Sequence, residues 1–310
     1  MARRTNGNGN GTRARTRRRA LHIARPQNGR KTIVPQGTLI IIGGHEEKKG
    51  KAIILRAVAE RAKGGKVVVA TLATSEPEET FKEYQRIFTS LGVKAVHLDV
   101  SDRGDLLRNP RLDLLNGASV VFFTGGGQLK ITTQFGGTEL CDRIQEFYRH
   151  GGTIAGTSAG ASVMSDTMLV SGEGDSTHKV GANLLMAPGL GYLKDVIIDQ
   201  HFAERGRIGR LLGAVAQNPR FLGIGLDENT AIVVEKEKRV RVLGEGAVYM
   251  IDGREVTCSN ITEETEDRTL SIFNVRLHLL SQGDEFDMET RTPIGGKPEQ
   301  AEKELISTRN

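Results

Sequence analysis

The chain has 310 residues, 37% of them hydrophobic and 38 of them glycine, which suits one large or two modest α/β cores with many tight strand–helix turns. Its charge of +5 is uneven: residues 1–45 carry ten Arg and Lys and no acid, leaving 33 basic against 38 acidic side chains in the remainder. No apolar run is long enough to span a membrane and none follows the basic start as a secretory leader requires, so a cytoplasmic globular protein without membrane contact is expected.

Residues 1–32, with Asn6-Gly-Asn-Gly-Asn-Gly11 and Arg13, Arg15, Arg17, Arg18 and Arg19, have no periodic apolar face and are read as a disordered basic tail. Such a tail suits nucleic acid or another polyanion. No aromatic interleaves the arginines and no nucleic-acid fold follows, so a solvated extension is the preferred reading. Residues 33–295 are expected to form a single α/β domain without repeats or linkers, followed by a polar tail over 296–310.

From Thr38 the pattern alternates. Apolar strand-like runs at Leu39–Ile42, Val67–Thr71, Ala95–Leu98, Val120–Phe123 and Thr153–Ala155 are separated by amphipathic segments around Lys51–Lys63, Glu78–Leu91 and Glu139–His150. That spacing predicts a doubly wound, mostly parallel sheet with helices on both faces. Beyond Gly223 the runs Thr230–Val234, Arg239–Leu243, Ala247–Ile251 and Leu270–Leu280 are closely spaced, which predicts an antiparallel β-rich extension. Cys141 and Cys258 sit in no metal-ligand spacing and are expected to be buried thiols. His45-Glu-Glu-Lys-Lys49 lacks the second His of His-Glu-x-x-His, so no metal site is expected.

Four stretches carry chemistry, each at or just beyond a strand end. Phe122-Phe-Thr-Gly-Gly-Gly-Gln128 lets main-chain amides approach a ligand closely, with Gly126 a candidate oxyanion donor. It matches neither phosphate-binding fingerprint. Gly152-Thr-Ile-Ala-Gly-Thr-Ser158-Ala-Gly-Ala161 reads as a strand, a Gly-x-Ser-x-Gly nucleophile elbow and a small-residue helix from Ala159 to about Met164. Ser158 is then exposed at the apex, and the amide of Ala159 faces the oxygen that becomes negative in acyl transfer. Val196-Ile-Ile-Asp199-Gln200-His201-Phe202 ends a strand in polar residues. His201 is preferred as base over His178, because a strand end is held more rigidly than a long loop. Gly223-Ile-Gly-Leu-Asp227-Glu228-Asn-Thr230 offers a carboxylate, Asp227 or Glu228, to orient that histidine. On the helix that follows His201, Arg207 and Arg210 lie three apart, with Ile208, Leu211, Leu212 and Val215 on the other side, so both arginines are expected to face outward.

Together, Gly-Thr-Ser-Ala-Gly-Ala, Asp-Gln-His-Phe followed by Arg205-x-Arg207-x-x-Arg210-Leu, and Gly-x-Gly-x-Asp-Glu-Asn-Thr-Ala resemble cyanophycinases, a family allied to the aspartyl-dipeptidase type of serine peptidases. The likeness spans about residues 36–293. It implies a fold similar to class I glutamine amidotransferases, a homodimer, no cofactor, and a Ser–His–Glu triad at Ser158, His201 and Glu228. It also implies substrate contacts at Gln128, Asp199, Gln200, Arg205, Arg207 and Arg210. Gly127 and Lys130 depart from the acid and Arg that the family often carries there. The implied substrate is cyanophycin, a polyaspartate with arginine joined to each side-chain carboxyl; Asp199 is expected to take a substrate guanidinium and the arginines to take carboxylates. A related peptidase cutting other aspartyl dipeptides and a non-catalytic polymer-binding protein are the alternatives.

Overall fold

The computed structural model describes residues 37–100, 102–170, 184–262 and 268–295; the tail over 1–32, the polar end over 296–310 and His178 lie outside them. The first half runs β1 (Thr38–Ile42), α1 (Ile53–Arg61), β2 (Lys66–Ala70), α2 (Pro77–Ser90), β3 (Lys94–Leu98), α3 (Arg103–Arg108), β4 (Ala118–Phe123), α4 (Gln128–Phe135), α5 (Glu139–Arg149), β5 (Thr153–Thr157) and α6 (Ala159–Ser162). The second half runs β6 (Thr167–Leu169), β7 (Met186–Pro188), β8 (Val196–Gln200), α7 (Ile208–Gln217), β9 (Leu222–Leu226), β10 (Thr230–Glu235), β11 (Arg239–Gly244), β12 (Val248–Asp252), β13 (Cys258–Ser259), β14 (Ile272–Phe273), β15 (Arg276–Leu280), β16 (Glu285–Asp287) and β17 (Thr292–Ile294).

The main sheet has the order β3-β2-β4-β5-β1-β10-β11-β16-β17. Its first five strands are parallel and the remaining four antiparallel. The protein is thus α/β with a mostly parallel core, as the alternation predicts. Side chains of β1 alternate between two buried layers. Leu39 and Ile41 pack with Ile144 and Tyr148 of α5, whereas Ile40 and Ile42 pack with Leu55 and Val58 of α1 and Phe88 of α2. Every residue of β1 is buried, which explains why its sequence is continuously apolar and not alternating.

Local chemistry starts the helices where the pattern places them. Pro77 occupies the first turn of α2 with Glu78 and Glu79 beside it, and the Thr138 hydroxyl caps α5 by accepting from the Cys141 amide at 3.2 Å. Both arrangements satisfy or complement amides that a helix start leaves without partners.

A second, four-stranded sheet has the order β15-β12-β9-β8. The C-terminal β runs are therefore divided: β10 and β11 extend the first sheet, while β12 and β15 build the second. The predicted run Leu270–Leu280 is broken at Asn274, whose φ of 62° lies in the left-handed region that ends a strand. Cys141 is buried but Cys258 is exposed, because the β13–β14 ribbon is only two residues long on each side and leaves the thiol outside. Among the described residues no helix is long and apolar enough to cross a membrane.

Candidate active site

The carboxyl ends of β1, β4 and β5 lie side by side, since β5 is parallel to both neighbours. A crevice at the strand ends of an open parallel sheet is where such folds place ligands. At this edge Ser158 has φ 53° and ψ −112°, a conformation that side chains rarely adopt and that persists only where surroundings enforce it. One constraint is its amide, which donates to the Ile42 carbonyl at 3.0 Å. Another is the tight seat of α6: a Cβ at Gly160 would stand 2.2 Å from the Phe123 carbonyl oxygen, so only glycine lets the helix follow the strand so closely.

Parallel pairing of β8 with β9, with Gln200 opposite Leu226, brings the residues that follow each strand together. The Ser158 hydroxyl lies 2.9 Å from His201 Nε2, and His201 Nδ1 lies 2.6 Å from Glu228 Oε1. The carboxylate fixes the proton on Nδ1 and leaves the Nε2 lone pair to accept from the serine hydroxyl. Burial lowers the His201 pKa below its ordinary value and the nearby Arg205 adds to this, outweighing the upward pull of Glu228. The ring is therefore neutral and basic near pH 7. Burial would raise the Glu228 pKa, but hydrogen bonds from His201 and His45 more than offset it, so this carboxyl sits below its usual range. Of the two adjacent acids, Asp227 serves the fold, accepting from the amides of Ala203 at 2.9 Å and Ala247 at 3.0 Å.

Ser158 opens into a cleft of about 480 Å³ lined also by Gly126, Gln128, Gln200, Arg205, Arg207 and Arg210. Gln128 begins α4 and donates to the Leu169 carbonyl at 2.7 Å. Gln200 is 6% exposed, and its Oε1 is buried with no hydrogen-bond partner among the described residues. Such an acceptor is costly to leave unmet unless a ligand supplies the donor. Ala159 opens α6 directly after the serine.

Two expectations about the charged groups need correction. Arg207 and Arg210 do not face outward: they are 4% and 3% exposed, while Ile208 of the supposed inner face is 41% exposed. The reason is Asp199, which is 1% exposed and takes both guanidinium groups. Arg210 Nε donates to its Oδ2 at 2.6 Å and Arg210 Nη2 to its Oδ1, and Arg207 Nη1 donates to Oδ1 at 3.2 Å and to the Gln200 carbonyl at 2.6 Å. A buried carboxylate shared in this way is occupied by the protein's own cations, and Asp199 does not line the cleft. It is the support on which two cleft arginines rest.

Two residues of the site escape a reading by motif. His45 Nδ1 lies 2.8 Å from Glu228 Oε2, so the two carboxylate oxygens face two different imidazoles. Glu46 is 3% exposed and accepts from Tyr84 Oη at 2.5 Å and from Thr157 Oγ1 at 2.6 Å. The only sequence signal for either is position, just after the Gly43-Gly44 pair that follows β1. Among the described residues, His45, His201 and Glu228 are also the one grouping of potential metal ligands, with their atoms within 4.8 Å of one another.

Residues 39–242 match peptidase family S51. The chain is 38% identical over 268 residues to the cyanophycinase of Trichormus variabilis, covering 84% of this chain and 89% of that protein. It is 36% identical to the cyanophycinase of Synechococcus elongatus, covering 82% and 80%, and 35% identical to that of Geminocystis herdmanii, covering 84% and 97%. The crystal structure of a peptidase from an acI-B1 actinobacterium superposes with a TM-score of 0.61 at 21% identity, over 82% of this chain and 98% of that one, a likeness of fold.

Proposed function

Because the chain belongs to peptidase family S51, we propose that it is a serine exopeptidase of cyanophycin, with Ser158, His201 and Glu228 as its triad and β-aspartyl-arginine as its product. The observation that carries the reading is the continuous contact from the Ser158 hydroxyl through His201 to Glu228, in a chain 35–38% identical to cyanophycinases.

His201 takes the Ser158 proton as the oxygen attacks the main-chain carbonyl of an aspartyl unit. The amides of Gly126 and Ala159 receive the developing oxyanion, and Glu228 holds the imidazolium in place. His201 then protonates the leaving amine, and water, activated by the same ring, releases the acyl group and regenerates the serine. Gln128 and Gln200 bond substrate amides, and Arg205, Arg207 and Arg210 hold its carboxylates. Asp199 supports the last two arginines without touching substrate. The same reading carries a homodimer in the cytoplasm, which sedimentation and cell fractionation check.

The test is chromatography of products from cyanophycin, polyaspartate and polyarginine. Wild type is expected to release β-aspartyl-arginine from the first and to leave both homopolymers intact, since polyarginine offers no carboxylate to the three arginines and polyaspartate no side-chain amide to Gln128 and Gln200. Ser158→Ala and His201→Ala are each expected to lose ~10⁴-fold or more in rate, as triad members act as a unit. More than a tenth of the wild-type rate in either variant overturns the triad. Efficient cleavage of polyaspartate by the wild type moves the substrate to other aspartyl peptides.

A further inference from the structure

The triad accounts for one oxygen of Glu228; the other faces His45 Nδ1 at 2.8 Å. The His45 ring also stands edge-on to His201, with centroids 5.1 Å apart and planes at 78°. The His45 side chain is 73% exposed, and its backbone is held in the left-handed region with φ 47°. An exposed residue kept in an uncommon conformation next to a reactive group marks a constraint that serves the site. That constraint is visible. The Gly44 carbonyl accepts from the Asn229 amide at 2.8 Å, and the Asn229 side-chain oxygen accepts from the Glu47 amide at 2.8 Å. His45 is thus pinned from both flanks to the loop that carries Glu228.

We propose that His45 is a positioning residue for the triad: its Nδ1–H holds the second oxygen of Glu228, so that the first stays aimed at His201. The inference rests on the triad reading. A carboxylate gripped at one oxygen alone rotates about its last bond, whereas one gripped at both presents a fixed acceptor to the imidazole.

The same contact sets a charge balance. The groups facing His201 are Glu228, Arg205 and His45. Around Glu228 are His201 and His45, with Glu204 accepting from the Glu228 amide at 3.2 Å and Asp227 turned to the amides of Ala203 and Ala247. Removing His45 leaves the whole carboxylate to His201, which raises the His201 pKa. The acid limb of kcat/KM, which reports that group in the free enzyme, then moves to higher pH.

The experiment compares wild type, His45→Ala, His45→Gln and Ser158→Ala on cyanophycin, with kcat, KM and the pH profile of kcat/KM read for each active protein. His45→Ala is expected to lose roughly tenfold in kcat, well short of the ~10²-fold that a full ångström of misplacement can cost, while KM stays within about twofold. Its acid limb moves up in pH. Gln places an amide donor where the imidazole was, so His45→Gln is expected to recover most of kcat and to return the acid limb toward its wild-type position. Gln and Ala experience a similar backbone cost at this φ, so a purely structural effect strikes both alike. Equal slowing of the two variants, or wild-type kcat and acid limb in His45→Ala, overturns the inference. Activity surviving in Ser158→Ala overturns the triad reading instead.

Discussion

Asp199 shows how far a residue's role depends on what reaches it. As a letter after a strand it is a free carboxylate before a histidine, and a substrate guanidinium is a reasonable partner. In the fold it is 1% exposed and shared by Arg207 and Arg210. Removing one member of a buried ion cluster typically costs ~3–5 kcal/mol. Asn keeps the shape and part of the hydrogen bonding, so Asp199→Asn is expected to lose about 2–3 kcal/mol, a fall in Tm of roughly 4–6 °C, together with a raised KM as the arginines lose their seat. Thermal melts beside kinetics decide it: a raised KM at unchanged Tm restores direct substrate contact. Ser158 and His201 are legible as polar residues at or just past the end of a buried strand, where folds of this class gather chemistry, whereas position alone offers Asp227 and Glu228 equally and only the family resemblance singles out Glu228. His45 is not legible, since its partner lies 183 positions away and no local pattern records the meeting.

The element that holds the site together is the end of β1, not the elbow itself. Carbonyls of three consecutive residues there each accept one amide from a triad segment: Ile42 from Ser158 at 3.0 Å, Gly43 from His201 at 2.9 Å and Gly44 from Asn229 at 2.8 Å. Gly44 has φ 107°, and a Cβ on it would lie 2.3 Å from His201 Cε1. Gly44→Ala therefore strains the backbone and drives the imidazole from its place. It is expected to lose ~10²-fold or more in kcat, because displacement of a base by an ångström costs that much, while circular dichroism keeps its native form. Half or more of the wild-type rate sinks this account of the strand end. Strands and helices of the first half could be read from periodicity, as each is apolar on the scale of its own period. Which sheet a C-terminal strand joins could not: Thr230–Glu235 pairs with β1 and Val248–Asp252 with β9, and alternation records a buried face without naming the neighbour.

Across the whole molecule the two sheets share a buried layer, in which Leu39 and Ile41 of the first cluster with Ile224 and Met250 of the second. A polar tie adds to it at the end of the described chain. Arg291, just before β17 of the first sheet, donates to Asp252 Oδ1 of β12 in the second at 2.7 Å and also to the Arg220 carbonyl. Arg254 donates to both oxygens of Asp252, at 3.2 and 3.0 Å from its Nε and 2.8 Å from Nη2. Burial alone would raise the Asp252 pKa; the hydrogen bonds from Arg254 and Arg291 outweigh it, so the folded value lies below the ordinary one. A depressed carboxyl stabilises the fold fully above its unfolded pKa, about 3.9, and that contribution is lost as pH falls through the lower folded value. Arg291→Ala removes one of the two cations from a carboxylate that is 3% exposed, at an expected cost of about 2–3 kcal/mol near neutral pH given that Arg254 remains. Its Tm is then lowest relative to wild type between about pH 5 and 7, and the two curves converge as pH drops below about 4, where Asp252 is protonated in the unfolded chain and then in the folded one. Thermal melts of both proteins from pH 7 down to 3 read the effect. A gap in Tm that stays constant over that range assigns the loss to packing of the Arg291 side chain and removes the ion cluster from the account of how the sheets are joined.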